Sequence, residues 1–180
     1  MLNCGTRVLE MIDNTSLLIQ KLELLTNELT VNKKAVKETE LKFNEIFTHS
    51  NLAVTLVGED GRFIKSNGKL EKILGYSAEE ISLLTYQDIT HIDDLYLDMK
   101  LAQSLMKYKT AYSMIKRYYK KDTSVVWVLL MVSKIAGYDG KLRYYLAQVL
   151  DLTPLLPLLD VKEIEKARNS GDASMGIWEQ

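Results

Sequence analysis

The stretch that decides the fold is SVVWVLLMVS, residues 124–133. It holds eight apolar residues in succession, Val125 to Val132, rich in the β-branched and aromatic side chains that favour strands. A strand with one wet face alternates apolar and polar residues, because successive side chains point to opposite sides of the sheet. This stretch does not alternate, so both of its faces call for cover. Leaving about four of its large side chains in water would forgo several kcal/mol at ~25 cal/mol per Å² and expose an aggregation-prone patch.

Working outward, TAYSMIKRYYK (110–120) precedes the stretch and KLRYYLAQVLDL (141–152) follows it, and both read as strands. Asp139-Gly140 joins the last two strands, and Asp60-Gly61 splits LAVTLVGEDGRFIKSN (52–67) into a hairpin; each dipeptide is a two-residue hairpin signal. Between the hairpin and the last three strands lie three helical starts, each with an acid three residues after a hydroxyl: Ser77 with Glu80, Thr85 with Asp88, and Thr90 with Asp93. Such close spacing predicts short helices, the third opening a longer one, DDLYLDMKLAQSLMKYK (93–109), with Leu97, Leu101, Leu105 and Tyr108 on one side. Asn67 is read as a further helix cap and Gly75 as a left-handed helix exit. Five strands with helices inserted between the second and third make an α+β order, not alternating βαβ units.

Ahead of this lies a long segment, residues 6–47, with no Pro or Gly. Its apolar spacing alternates four and three through Leu18, Leu22, Leu25, Leu29, Asn32, Val36, Thr39, Phe43 and Ile46, and runs back to Thr15, Met11 and Val8. Nine of these twelve positions are apolar, which fits a coiled-coil seam; Asn32 would set register in a parallel pair. A single amphipathic helix lying on the domain is the other reading of the same pattern.

The bulk numbers exclude several classes. A chain of 180 residues with 47% hydrophobic and 26% charged residues buries an ordinary core and carries one domain with appendages. A net charge of −1 gives no electrostatic case for nucleic acid or an anionic membrane. One cysteine, Cys4, excludes an internal disulfide and fits a reducing compartment. No apolar run reaches the ~20 residues of a membrane span, and MLNCGTRVLEMIDN has acids where a signal peptide has its apolar core. The expectation is a cytoplasmic protein. Cys4, His49 and His91 form no metal-ligand spacing, and no Gly-rich phosphate loop or nucleophile elbow appears. Asp93-Asp94 sits at a helix N-terminus, where the helix dipole accounts for it. The expectation is a protein that is not an enzyme.

With these residues in view, the chain resembles a PAS domain. The resemblance is carried by GEDGRFIKSN (58–67), KLEKILGYSAEE (69–80), ITHIDD (89–94), RYYKKDTSVVWV (117–128) and VLDLT (149–153), in that order. It implies a five-stranded antiparallel sheet with short helices on one face, preceded by a long N-terminal helix. The division expected is a coiled-coil helix over 1–42, the PAS domain over 43–153 and an extension over 154–180. Two positions depart from the family pattern: Ile92 stands where a proline is common, and Thr123 where a glycine is usual. A β-branched residue resists positive φ, so the turn at Thr123 is expected to differ from a tight primed hairpin.

The resemblance further implies a sensor whose pocket holds haem, flavin, another small molecule or nothing. The helix Asp94–Tyr108 has no histidine for haem, and Cys4 is remote in sequence from any pocket, which argues against a cysteine-linked flavin. Tyr86, Ile89, Leu97, Met99, Leu101, Tyr112, Met114, Leu130 and Met131 are the candidate lining of an apolar cavity for a noncovalent ligand, a small aromatic or fatty molecule, with a filled core as the alternative. PAS domains use the outer sheet face and leading helix to dimerise. This assigns Leu22, Leu25, Leu29, Val36, Phe43, Phe47, Val126 and Trp127 to a homodimer interface. Residues 41–47, the run PLLPLLDVKEI (154–164) or a second copy would then cover the strand's outer face. Asp151 and Thr153 are candidates for coupling the sheet to the exit segment, or for a simple cap before Pro154. The 27 residues after Thr153 are too few for an output domain, and the polar stretch NSGDASMGIWEQ (169–180) reads as disordered, with Trp178 as a docking anchor or idle. Two functions follow: a dimeric sensory module that passes ligand or partner state to another protein, or a ligand-free dimerisation scaffold.

Overall fold

The structure, a computed structural model, describes residues 4–107, 110–137 and 139–158, with side chains from Asp13 onward. Tyr108, Trp178 and the tail beyond Leu158 lie outside the described residues. The chain divides into two compact units between Ile46 and Phe47.

The first unit is a helix. α1 (Cys4–His49) runs without a break past that division. Three of its hydroxyls are absorbed locally: Thr26, Thr30 and Thr39 donate to the carbonyls of Leu22, Thr26 and Ala35, one turn back. Leu22, Leu25, Leu29, Val36 and Phe43 are each at least 45% exposed.

The second unit contains β1 (Ala53–Val57), β2 (Phe63–Ser66), α2 (Gly68–Leu74), α3 (Ala78–Leu83), α4 (Tyr86–Ile89), α5 (Ile92–Lys107), β3 (Ala111–Tyr119), β4 (Val125–Ala136) and β5 (Leu142–Asp151), closed by a 3₁₀ turn over Thr153–Leu158. The sheet order is β2-β1-β5-β4-β3, and every neighbouring pair is antiparallel. Alternation along β4 answers the question its sequence raises. Val126, Val128, Leu130 and Val132 are buried in the core, whereas Trp127, Leu129 and Met131 lie half-buried on the opposite face. There Leu129 is flanked in register by Ile115 of β3 and Leu150 of β5, so neighbouring strands shield part of the second apolar face.

All three hairpins use one turn, and it is not the two-residue turn that Asp60-Gly61 and Asp139-Gly140 predict. Backbone bonds close the loops from Gly58 to Arg62, Lys120 to Ser124 and Gly137 to Lys141. In each, an aspartate (Asp60, Asp122 or Asp139) accepts the N–H two residues on, and the residue after it is left-handed. That residue is Gly61, Thr123 or Gly140. This is a three-residue loop with a left-handed third position. The turn at Thr123 does differ from a primed hairpin, but Thr123 itself takes φ of +67°, against the expectation that branching keeps it out of that region.

The helix starts divide likewise. Ser77 with Glu80 and Thr85 with Asp88 form complete capping boxes on α3 and α4. Thr90 does not cap α5. Its hydroxyl donates to the Tyr86 carbonyl and accepts from Lys116, while His91 Nδ1 accepts the Asp93 N–H. Asn67 flanks α2 but makes no side-chain cap; its amide is used elsewhere. Gly75 does leave α2 in the left-handed conformation.

Candidate functional site

Between the inner face of the sheet and the helices α4 and α5 lies a cavity of about 140 Å³. β1 contributes Thr55 and Val57, β3 contributes Tyr112, Lys116 and Tyr118, β4 contributes Leu130 and Val132, and β5 contributes Tyr145, Ala147 and Val149. Lining residues that reach solvent, Glu59 and Asp60 in the β1–β2 turn and Met99, Gln103 and Met106 on α5, mark its rim. Gly61 brings the turn close over α4: a Cβ at Gly61, besides facing a φ of +85°, would stand 2.8 Å from Gln87 Oε1.

The wall holds an ion pair excluded from water. Lys116 and Asp98 are each fully buried, and Lys116 Nζ donates to Asp98 Oδ2 at 2.5 Å and to Thr90 Oγ1 at 2.9 Å. The ammonium also lies 4.3 Å from the centre of the Tyr118 ring. The second carboxylate oxygen, Asp98 Oδ1, accepts from the Tyr112 hydroxyl at 2.9 Å. Both charges thus have their valences filled, which burial requires. Burial pushes the Lys116 ammonium below the usual lysine range, against the pull of Asp98. Burial and the neighbouring Asp98 push the Tyr112 hydroxyl well up, and raise Tyr86 to about 12.

Two other polar atoms on the wall, the Tyr145 hydroxyl and Gln87 Oε1, are both buried and find no hydrogen-bond partner among the described residues. Tyr145 as a whole is 9% exposed.

Of the residues that the sequence nominates for the pocket, Tyr86, Ile89, Met99, Tyr112 and Leu130 line this cavity. Leu97 and Leu101 pack against the core from α5, and Met114 is buried within it, without lining the cavity. Met131 is out of reach on the other face of β4, because strand side chains alternate. The same alternation removes Val126 from the surface set: it is 4% exposed and faces the core, as its neighbour Trp127 does not. Phe47 is also buried, at 6% exposed. Asp151 accepts the Thr153 N–H, and the Thr153 hydroxyl accepts the Trp127 N–H, so the exit turn is stitched to β4 beyond any cap.

Sequence reading passes over Lys116, Asp98, Gln87 and Tyr145. A signal for the first two exists. Lys116 sits two residues from both Met114 and Tyr118, on the inward period of β3, and Asp98 lies three and seven residues before Leu101 and Leu105 on α5.

This geometry is matched elsewhere. Residues 63–148 fit the family model described as the PAS fold. The chain carries a PAS domain. Its solved counterparts include the PAS domain of a protein from Colwellia psychrerythraea, with a TM-score of 0.60 at 19% identity over 64% of this chain and 98% of that one. In sequence, the chain is 35% identical over 151 residues to the probable diguanylate cyclase DgcE of Escherichia coli (strain K12), a match spanning 82% of this chain and 14% of that protein. The sensor histidine kinase TmoS of Ectopseudomonas mendocina is 20% identical over 142 residues, 78% of this chain and 15% of its own length. The PAS-containing chain therefore spans no more than about a seventh of these curated relatives. Among the described residues no helix is long and apolar enough to cross a membrane, and no cluster of three potential metal ligands occurs.

Proposed function

We propose that this PAS domain is a non-catalytic sensory module that takes up a compact ligand in its cavity and, as a homodimer, passes occupancy to a protein partner or attached output domain. A single observation carries the reading: two buried polar atoms of the cavity wall, the Tyr145 hydroxyl and Gln87 Oε1, lack any hydrogen-bond partner among the described residues. Buried polar groups in a core built only for stability are paired, since each orphan costs roughly 1–3 kcal/mol. The sensory role draws support from relatives named as a sensor kinase and a probable cyclase. Haem or flavin does not suit these walls, because about 140 Å³ is under half of the lower bound, roughly 300 Å³, of drug-sized pockets.

A route outward runs through Asn67. Thr55 and Val57 of β1 line the cavity, and between Thr55 and the domain entrance the Val54 N–H donates to Asn67 Oδ1. The Asn67 amide in turn donates to the carbonyl of Phe47, in the last turn of α1. A shift of β1 on ligand entry would move the end of that helix, biasing two packings of a helix pair. The seam Leu22, Leu25, Leu29, Val36 and Phe43, exposed in the single chain, supports the pairing of the helix, and Trp127, half-buried on the outer sheet face, is a separate candidate contact of the second unit. The 151-residue match to the cyclase exceeds the whole stretch from Phe47 onward, so it takes in part of α1 as well.

Two measurements test this. Thermal-shift screening of small organic molecules, with mass spectrometry of the denatured protein, should find a ligand; a protein that carries none and responds to none is a scaffold instead. Sedimentation at high concentration should give a dimer that Leu22→Glu with Leu29→Glu splits. A wild-type monomer would end the dimeric reading.

A further inference from the structure

Resting on the sensory reading above, we infer that the ligand is a compact, uncharged molecule about the size of one ring, apolar over most of its surface and carrying an O–H or N–H group for Gln87 Oε1 and the Tyr145 hydroxyl. Size comes first. A cavity of about 140 Å³ approaches the roughly 150 Å³ of an apolar cavity that holds benzene. Phe63, Tyr86, Tyr112 and Tyr118 contribute aromatic walls, which favour a flat guest.

Charge is decided by the ion pair. Among the described residues Lys116 is the only cation of the lining, and its N–H groups are directed to Asp98, Thr90 and the face of Tyr118. Asp98 is filled by Lys116 and Tyr112. An ionic guest would have no free countercharge on the inner wall, and a buried unpaired charge is costly. The other charged lining residues, Glu59 and Asp60 at the rim, are acidic and repel an anion on approach. The polar handle follows from the orphaned atoms. An amide oxygen only accepts, so Gln87 Oε1 requires a donor from the guest, whereas a tyrosine hydroxyl can give or take.

Titration of the full chain with phenol, toluene, benzoate and benzylamine, four probes sharing one ring, tests the assignment. Phenol should bind about fivefold to tenfold more tightly than toluene, the value of one hydrogen bond, and the two ions should bind far more weakly than either. Tyr145→Phe and Gln87→Met each remove an atom that has no hydrogen-bond partner among the described residues, so both variants should fold, keep toluene affinity and lose part of the preference for phenol. Equal binding of phenol and toluene, unchanged in both variants, overturns the polar handle. Tightest binding of benzoate or benzylamine overturns the neutral class. Either result leaves the sensory cavity standing, whereas a cavity that admits no probe and no other small molecule removes both.

Discussion

Thr123 is the one non-glycine residue with positive φ among the described residues, and it occupies the position that glycine fills in the two sister turns. A left-handed β-branched residue costs roughly 1–2 kcal/mol, part of which glycine returns through its freer unfolded chain. Thr123→Gly is therefore expected to stabilise the domain by up to about 1 kcal/mol in urea unfolding; a clear loss would show that the threonine side chain earns its place by contacts. Lys116 and Asp98 pose the opposite case, two residues whose values cannot be taken singly. Lys116→Met strands a buried carboxylate and should cost about 3–5 kcal/mol, while the double change Lys116→Met with Asp98→Leu should regain most of it. If the double variant is as unstable as the single, the pair does more than neutralise itself.

At the scale of elements, Asn67 shows how one side chain fastens three segments. Its amide and carbonyl hold Phe47 of α1, Leu52 before β1 and Val54 within it. A cap could be restored by serine; this bridge could not. Asn67→Ala should cost about 2–4 kcal/mol, since buried backbone groups lose their partners, and Asn67→Ser should be nearly as harmful. Full rescue by serine would reassign the residue as a helix cap. The α5–β3 contact is built in the same manner: Arg117 donates to both oxygens of Asp94 and to Asp93, and Asp94 also takes the Arg117 N–H. The acids that the helix dipole would explain are thus spent on the edge strand, and they position Asp98 one turn further along α5.

For the whole molecule, the buried tyrosines set an alkaline limit. Burial raises Tyr112, Tyr118 and Tyr145, and takes Tyr86 to about 12. An unfolded tyrosine ionises near 10. Above that pH the unfolded chain releases protons that the folded chain retains, so stability is full below about 10 and falls as pH climbs toward 12. Denaturant midpoints should drop over that window, with phenolate absorbance lagging behind that of the unfolded chain. Coincident titration of all tyrosines near 10 with the fold intact would contradict these burials.

Much of the architecture was legible because its causes are local. Hydrophobic period marks β3, β4 and β5, Asp-Gly marks two of the three turns, and Ser77 and Thr85 announce helices through partners three residues away. The sequence by itself determined which segments are strands and their order along the chain. The tertiary structure alone decided the rest: that Lys116 meets Asp98 across 18 residues, that Thr90 serves the lysine and not a helix, that Asn67 reaches back to Phe47, and that the Tyr145 hydroxyl and Gln87 Oε1 find no hydrogen-bond partner among the described residues. Such pairings depend on sheet register and on where a helix crosses it, and a buried polar atom chooses among distant neighbours only once packing has brought them within 3 Å or so.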